Sequence, residues 1–225
     1  MVKSNKKLKF ILWIGVMVSC LAIVGPVITR ETFKIDPNVL KQAETKFGKR
    51  AADRLVDWEN LIRTDNSPTD MAKLEKANRF FNEQIQFVND IDLYKMNDYW
   101  ATPIEFLCRR AGDCEDFAIA KYFTLKAMGM PEDKLNIQYV KALQYNMAHM
   151  VLTYLKTPAA EPLVLDNLID TIEPASKRTD LLPVFSFNGT GLWLAKQRGR
   201  GKLAGSSSRL KSWGDLQKRM AENKL

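Results

Sequence analysis

Residues 111–118 read Ala111-Gly112-Asp113-Cys114-Glu115-Asp116-Phe117-Ala118, and the interpretation of the whole fold turns on what they begin. From Cys114 a helix is expected through Ala118, Tyr122, Leu125 and Met128, stopped by Gly129 with Pro131 just beyond. Upstream, apolar residues recur at helical spacing. Asp36-Pro37 is an N-cap followed by a proline at the first helical position, and Leu40, Phe47, Ala51, Leu55, Trp58 and Leu61 continue a long helix whose natural break is Gly48. Ser67-Pro68 opens a second, with Met71, Leu74, Ala77, Phe81, Ile85 and Val88 as its stripe, and Thr102-Pro103 a short third through Leu107.

Downstream the period changes. Residues 137–143, 147–154, 162–166, 183–187 and 191–194 are short β-branched or aromatic runs separated by turn residues, as in an antiparallel sheet. Helices followed by strands predict an α+β fold, with the Cys114 helix packed on the sheet. Residues 199–208, rich in Gly and Ser, read as a flexible connector, and Leu210, Trp213, Leu216 and Met220 mark a final amphipathic helix. That helix also carries Lys211, Lys218 and Arg219, which suits anionic lipid if its stripe is free and is merely a solvated face if the stripe packs on the core.

Composition narrows the functional classes. In 225 residues, 46% hydrophobic and 27% charged, there is enough apolar material for a core, and 3 Cys are too few for a disulfide scaffold. The net charge of +8 comes from the ends: residues 1–9 hold +4 and residues 196–225 hold +7, which leaves −3 for the middle. A basic balance of that origin lacks the patch and stacking aromatics of a nucleic-acid surface, so no nucleic-acid partner is expected.

Lys3, Lys6, Lys7 and Lys9 precede an uncharged run from Phe10 to Ile28, so residues 1–30 read as an export signal or a retained membrane anchor ahead of a domain spanning 35–225. Lysines on the near side place the rest of the chain outside the cytoplasm. Cys20 sits in a partial lipoprotein-type match, Met17-Val18-Ser19-Cys20, and reads more simply as a small apolar member of the run. Export leaves two cysteines, Cys108 and Cys114, for which the plain expectation is one disulfide.

The setting of Cys114 argues for chemistry instead. A cysteine at a helix start has its thiolate favoured by unpaired backbone N–H groups, and it then needs a base within reach and a third group to orient that base. The chain has one histidine, His149, so the base is not a matter of choice. It lies in Ala148-His149-Met150-Val151-Leu152, and 17 residues later Val164-Leu165-Asp166-Asn167 places an acid at the end of another strand. Each residue has a structural alternative: Cys114 as a buried small hydrophobe, His149 as a strand residue, Asp166 as a turn cap.

At these motifs the chain resembles the bacterial transglutaminase-like cysteine peptidases, which share a papain-like arrangement, and within them the LapG-type branch of periplasmic adhesin proteases. The resemblance covers roughly residues 35–223 and extends through Trp100-Ala101-Thr102-Pro103, Pro183-Val184-Phe185-Ser186-Phe187-Asn188 and Arg209-Leu210 with Trp213. It implies Cys114 as nucleophile, His149 as general base and acid, and Asp166 as the orienting acid. It further implies endoproteolysis of a large surface adhesin at a paired-alanine site, dispersal of biofilm, and control by the periplasmic domain of an inner-membrane cyclic di-GMP receptor.

Asp113, Glu115 and Asp116 would by themselves raise the thiol pKa, or simply favour a helix N-terminus. The resemblance implies instead that these three bind Ca2+, which would remove the conflict. Two other functions stay open on sequence alone. The same triad serves transglutaminase-type acyl transfer, and a disulfide between Cys108 and Cys114 would leave a non-catalytic calcium-dependent binding module.

Overall fold

A computed structural model describes residues 33–194 and 201–222 of the chain, which belong to a single contact unit, Thr32–Leu225. The N-terminal run lies outside the described residues, as do residues 195–200. No described helix is long and apolar enough to cross a membrane.

The first helix, α1 (Pro37–Phe47), starts where the Asp36 carboxylate accepts from the Asn38 N–H. Gly48, at φ 83°, ends it and leads directly into α2 (Lys49–Arg63), so the long helix breaks where expected. Ala51, Leu55, Trp58 and Ile62 form the buried stripe of α2. The next helix, α3 (Asp70–Gln84), begins later than Ser67-Pro68 suggested, because the Thr69 hydroxyl caps it by accepting from Ala72 N–H while Ser67 bonds to Asp65. Two residues of β1 (Gln86–Phe87) follow, then the single turn α4 (Asp90–Leu93).

Thr102 and Glu105 make a reciprocal capping box at the start of α5 (Pro103–Arg109), which ends with Arg110 in the left-handed region. The short β2 (Ala111–Gly112) then pairs in parallel with β1. This pairing brings Val88–Asp90 beside the residues that precede Cys114, with the Val88 N–H donating to the Gly112 carbonyl at 2.9 Å. The helix that Cys114 opens, α6 (Cys114–Ala127), is buried nearly all round, from Glu115 through Leu125. A helix enclosed on every side is hydrophobic without being amphipathic, and α6 is the axis on which α3, α5 and the sheet converge.

The sheet has seven antiparallel strands: β3 (Leu135–Ala142), β4 (Met147–Tyr154), β5 (Leu163–Leu165), β6 (Glu173–Pro174), β7 (Leu181–Phe187), β8 (Leu192–Leu194) and β9 (Leu203–Gly205). Their spatial order is β6-β5-β4-β3-β7-β8-β9. The fold is the α+β, papain-like arrangement with the Cys114 helix against an antiparallel sheet. Part of the expected connector is instead ordered: β9 pairs with β8, and a turn of 3-10 helix occupies Ser207–Arg209. The final helix, α7 (Lys211–Glu222), buries Trp213 and Leu216, so its apolar stripe packs on the core. Trp213 stacks on Phe123 and meets Tyr122 and Phe187 edge-on.

Candidate active site

Cys114 is the first residue of α6, and Asp113 occupies the N-cap position without a side-chain capping bond. It opens into a cleft of about 480 Å³ whose walls include Trp100, Asp113, Glu115, Tyr139 and His149. The thiol donates to the Glu115 carboxylate at 3.2 Å. Burial pushes its pKa well above the ordinary value, and the neighbouring charges of Glu115 and Asp113 add to that, with the Met150 backbone N–H as a partial offset. Cys108 is buried in α5, and neither cysteine is bridged, so the expected disulfide does not form. The binding-module reading that required it loses its premise.

His149 lies on β4, opposite Val140 of β3. β5 pairs only with Leu152–Tyr154, so the first part of β4 is not covered by that neighbour, and Asp166, the residue after β5, can reach across to it. His149 Nε2 and Asp166 Oδ1 are 2.8 Å apart and both side chains are buried. With Nε2 committed, Nδ1 is the ring nitrogen left for the cleft. The structure thus gathers Cys114 and His149 in one cleft and sets Asp166 behind the imidazole.

Asp166 is held at every oxygen. Oδ1 also accepts from the Leu168 N–H at 3.1 Å, Oδ2 accepts from Arg178 at 2.7 Å, and its carbonyl accepts from Lys121 Nζ and the Asn82 amide. Burial alone would raise its pKa; the bond and charge of His149, the Leu168 amide and Arg178 outweigh it and hold the carboxyl at about 2. Lys121 is buried in α6, and desolvation brings it down to about 7.

The acids around the thiol form a larger cluster than the sequence indicated. Carboxylate or thiol atoms within 4.8 Å of one another occur in the sets Asp113, Cys114, Glu115; Asp90, Asp113, Asp116; and Asp90, Asp98, Glu115. No one set holds Asp113, Glu115 and Asp116 together: Asp113 shares one set with Glu115 and another with Asp116, and Asp90 and Asp98 extend the cluster. Asp90 Oδ1, Asp113 Oδ1 and Asp116 Oδ2 are buried without a hydrogen-bond partner. Burial drives the carboxyls of Asp113, Glu115 and Asp116 upward, with mutual repulsion contributing, and that of Asp90 to about 6. Asp90, Asp113 and Asp116, each keeping a buried oxygen without a partner and each offering a ligand atom within 4.8 Å of the others, fit a hard, oxygen-seeking divalent cation.

Gly112 makes room for this cluster. A Cβ there would stand 2.3 Å from Asp116 Oδ2 and 2.7 Å from the Phe106 ring. Asp116 uses its other oxygen to accept from the Ala101 N–H at 2.7 Å, tying the start of α6 to the Trp100 segment. Sequence reasoning missed Asp90 and Asp98, which lie 24 and 16 residues before Cys114; the parallel β1–β2 pair is what delivers Asp90. It also missed Arg178, Lys121 and Asn82, which carry no local motif.

Residues 45–184 match the model of the bacterial transglutaminase-like cysteine proteinases, BTLCP. The chain belongs to this family. The proteinase is similar to solved structures of LapG from Legionella pneumophila. An EGTA-treated form is 45% identical with a TM-score of 0.71, covering 81% of this chain and 96% of that one. A calcium-bound form is 46% identical with a TM-score of 0.69, covering 81% and 97%. Among curated proteins no sequence match is found. As a member of the family the proteinase is a cysteine hydrolase of papain-like fold.

Proposed function

We propose that the chain is a calcium-dependent periplasmic endoprotease in which Cys114, His149 and Asp166 form the catalytic triad. The observation that carries this is the buried His149–Asp166 pair at 2.8 Å, set behind a cleft that the thiol of Cys114 also lines. Asp166 fixes the proton on Nε2, so Nδ1 takes the thiol proton as the sulfur attacks the scissile carbonyl. His149 then returns the proton to the departing amine, leaving an acyl group on Cys114. Water deprotonated by the same nitrogen releases the acyl group. The Cys114 backbone N–H, at the helix start, is a natural donor to the oxyanion.

A calcium ion held by Asp113, Glu115 and Asp116, with Asp90 and Asp98 completing the set, would cancel the negative charge that now opposes the thiolate. The existence of a calcium-bound form of the similar Legionella protein supports this reading. The same similarity supports a large surface adhesin as substrate, cut near its N-terminus at a paired-alanine site, with release of the adhesin and biofilm dispersal. It also supports restraint by the periplasmic domain of an inner-membrane cyclic di-GMP receptor. Residues 1–30 would export the proteinase domain, 35–225, and tether it to the inner membrane if retained.

The test is cleavage of the N-terminal fragment of the largest surface adhesin from the same organism, with calcium, with chelator, and with Cys114→Ala. Cutting at an Ala-Ala bond that disappears in both controls is the expected result. Full cleavage in chelator by a metal-free protein would remove calcium from the account, and cleavage by Cys114→Ala would remove the nucleophile.

A further inference from the structure

The residue that fixes the triad acid comes from none of the elements that carry the triad, α6, β4 and the end of β5. Arg178 closes a 3-10 turn between β6 and β7, and its side chain is buried against the end of β5. One nitrogen, Nη2, bridges Asp166 Oδ2 at 2.7 Å and Asp180 Oδ2 at 2.8 Å, while Nε donates to Asp180 Oδ1 at 3.0 Å. Asp180 is itself anchored, since its carbonyl accepts from the Leu143 N–H at the β3–β4 turn. The guanidinium is therefore aimed by one acid and spends its remaining reach on the other.

A buried ion pair is a poor source of net stability, because desolvating both charges costs about what their attraction returns. Arg178 also leaves Nη1 buried without a hydrogen-bond partner among the described residues. The arrangement makes better sense as orientation. With Oδ2 held by Arg178, the Asp166 carboxylate cannot rotate, and Oδ1 is presented to His149 Nε2. A fixed acceptor there keeps the imidazole in the tautomer whose Nδ1 is free to act as base.

We propose that Arg178, aimed by Asp180, is a positioning residue that locks the Asp166 carboxylate and thereby sets the His149 tautomer. The inference rests on the triad reading above. The other charged groups near Asp166 are His149, Lys121 and, through Lys121, Asp170; Lys121 meets the backbone carbonyl and leaves the carboxylate to Arg178.

Two readouts test it on the full-length, tag-free protein, whose one histidine makes the signal unambiguous. The first is NMR of isotope-labelled histidine, which reports the protonation of each ring nitrogen without substrate. The second is the kcat and KM of peptide cleavage. Arg178→Gln should mix the tautomers and lower kcat by about 10²-fold at unchanged KM, the scale of a misplaced catalytic group. Arg178→Lys, which keeps the charge but loses the fork, should fall between. Asp180→Asn leaves Arg178 in place and should shift both readouts in the same direction by less. If Arg178→Gln fails to fold, Asp180→Asn decides the question. Wild-type tautomer and kcat in a folded Arg178→Gln, or in Asp180→Asn where the first does not fold, would overturn the proposal. An inactive wild type with a single tautomer that Arg178→Gln disperses would instead condemn the protease reading and leave the positioning role intact.

Discussion

The thiol of Cys114 donates its hydrogen bond to the carboxylate of the next residue, Glu115, 3.2 Å away. Nucleophile and acidic cluster are thus one electrostatic unit, and whatever neutralises Glu115 and Asp113 acts directly on the thiol. Burial and these two charges raise the Cys114 pKa in the absence of a cation. Since only the thiolate reacts, and one pKa unit is a factor of ten in its population, calcium should speed alkylation of Cys114 near neutral pH by about tenfold or more. Alkylation rates followed against pH in calcium and in chelator check this. Identical profiles would break the link between cation and nucleophile.

Asp166→Asn should inactivate without unfolding. Both carboxylate oxygens of Asp166 accept, Oδ1 from His149 and Leu168 and Oδ2 from Arg178. An amide offers one acceptor and one donor, and the permanently charged Arg178 claims the oxygen. The amide NH₂ then faces Nε2, driving the proton to Nδ1, where it blocks base catalysis. The expected loss in kcat is about 10⁴-fold, as for the same swap in a serine triad. Cleavage kinetics and a thermal melt of the variant give the answer.

Local chemistry explains what the sequence revealed and what it hid. The caps at Asp36 and Thr102, the break at Gly48 and the stop at Gly129 are local, so α1, α2, α5 and α6 were legible within a residue or two. A lone histidine and a helix-start cysteine made the candidate triad legible for the same reason. Asp90, Asp98 and Arg178 were not, because each reaches the site through a tertiary pairing: β1 on β2, the Trp100 segment on α6, and the β6–β7 connection across the end of β5. Residues 203–205 looked like linker because the Gly and Ser around them conceal a strand formed by pairing to β8, with the Arg209 guanidinium donating to the Ala204 carbonyl.

The acidic cluster should make metal-free stability fall with rising pH. Burial raises the folded carboxyls of Asp90, Asp113, Glu115 and Asp116, with Asp90 reaching about 6. Acids raised in this way stabilise the fold while protonated, below their unfolded values, and that contribution is lost as pH climbs through the folded ones. Asp166, held at about 2, behaves oppositely: its contribution is present above the unfolded aspartate value and lost as pH falls towards 2. In chelator the melting temperature should therefore peak near pH 4–5, about the unfolded carboxyl range, and decline by neutrality. Calcium should flatten the neutral side. Melts across this range with and without calcium test it, and a flat curve in chelator would count against the buried cluster.

Gly112→Ala should damage the cation site from below. Its Cβ would sit 2.3 Å from Asp116 Oδ2 and 2.7 Å from the ring of Phe106, and both residues are fully buried. Overpacking of this kind costs about 1–3 kcal/mol. Asp116 must swing away, so the stabilisation that calcium gives should shrink along with the base stability. The difference in melting temperature between calcium and chelator, compared with the wild type, measures it.

Trp213→Ala should reach the same cation site from the far end of the chain. Trp213 is fully buried and packs against Phe123, Tyr122 and Phe187, so its removal should cost about 3–5 kcal/mol. It also anchors α7, whose Ser212 hydroxyl donates to Asp98 Oδ2 at 2.9 Å and whose Arg219 donates to the Trp100 carbonyl. Loosening α7 removes one of the two bonds that hold Asp98, leaving that from the Trp100 indole N–H, and Asp98 shares a ligand set with Asp90 and Glu115. The variant should consequently show a lower denaturation midpoint and weaker calcium binding, even where it remains folded. Calcium titration under folding conditions separates the two effects: unchanged affinity in a destabilised protein would mean that Asp98 is held without help from α7.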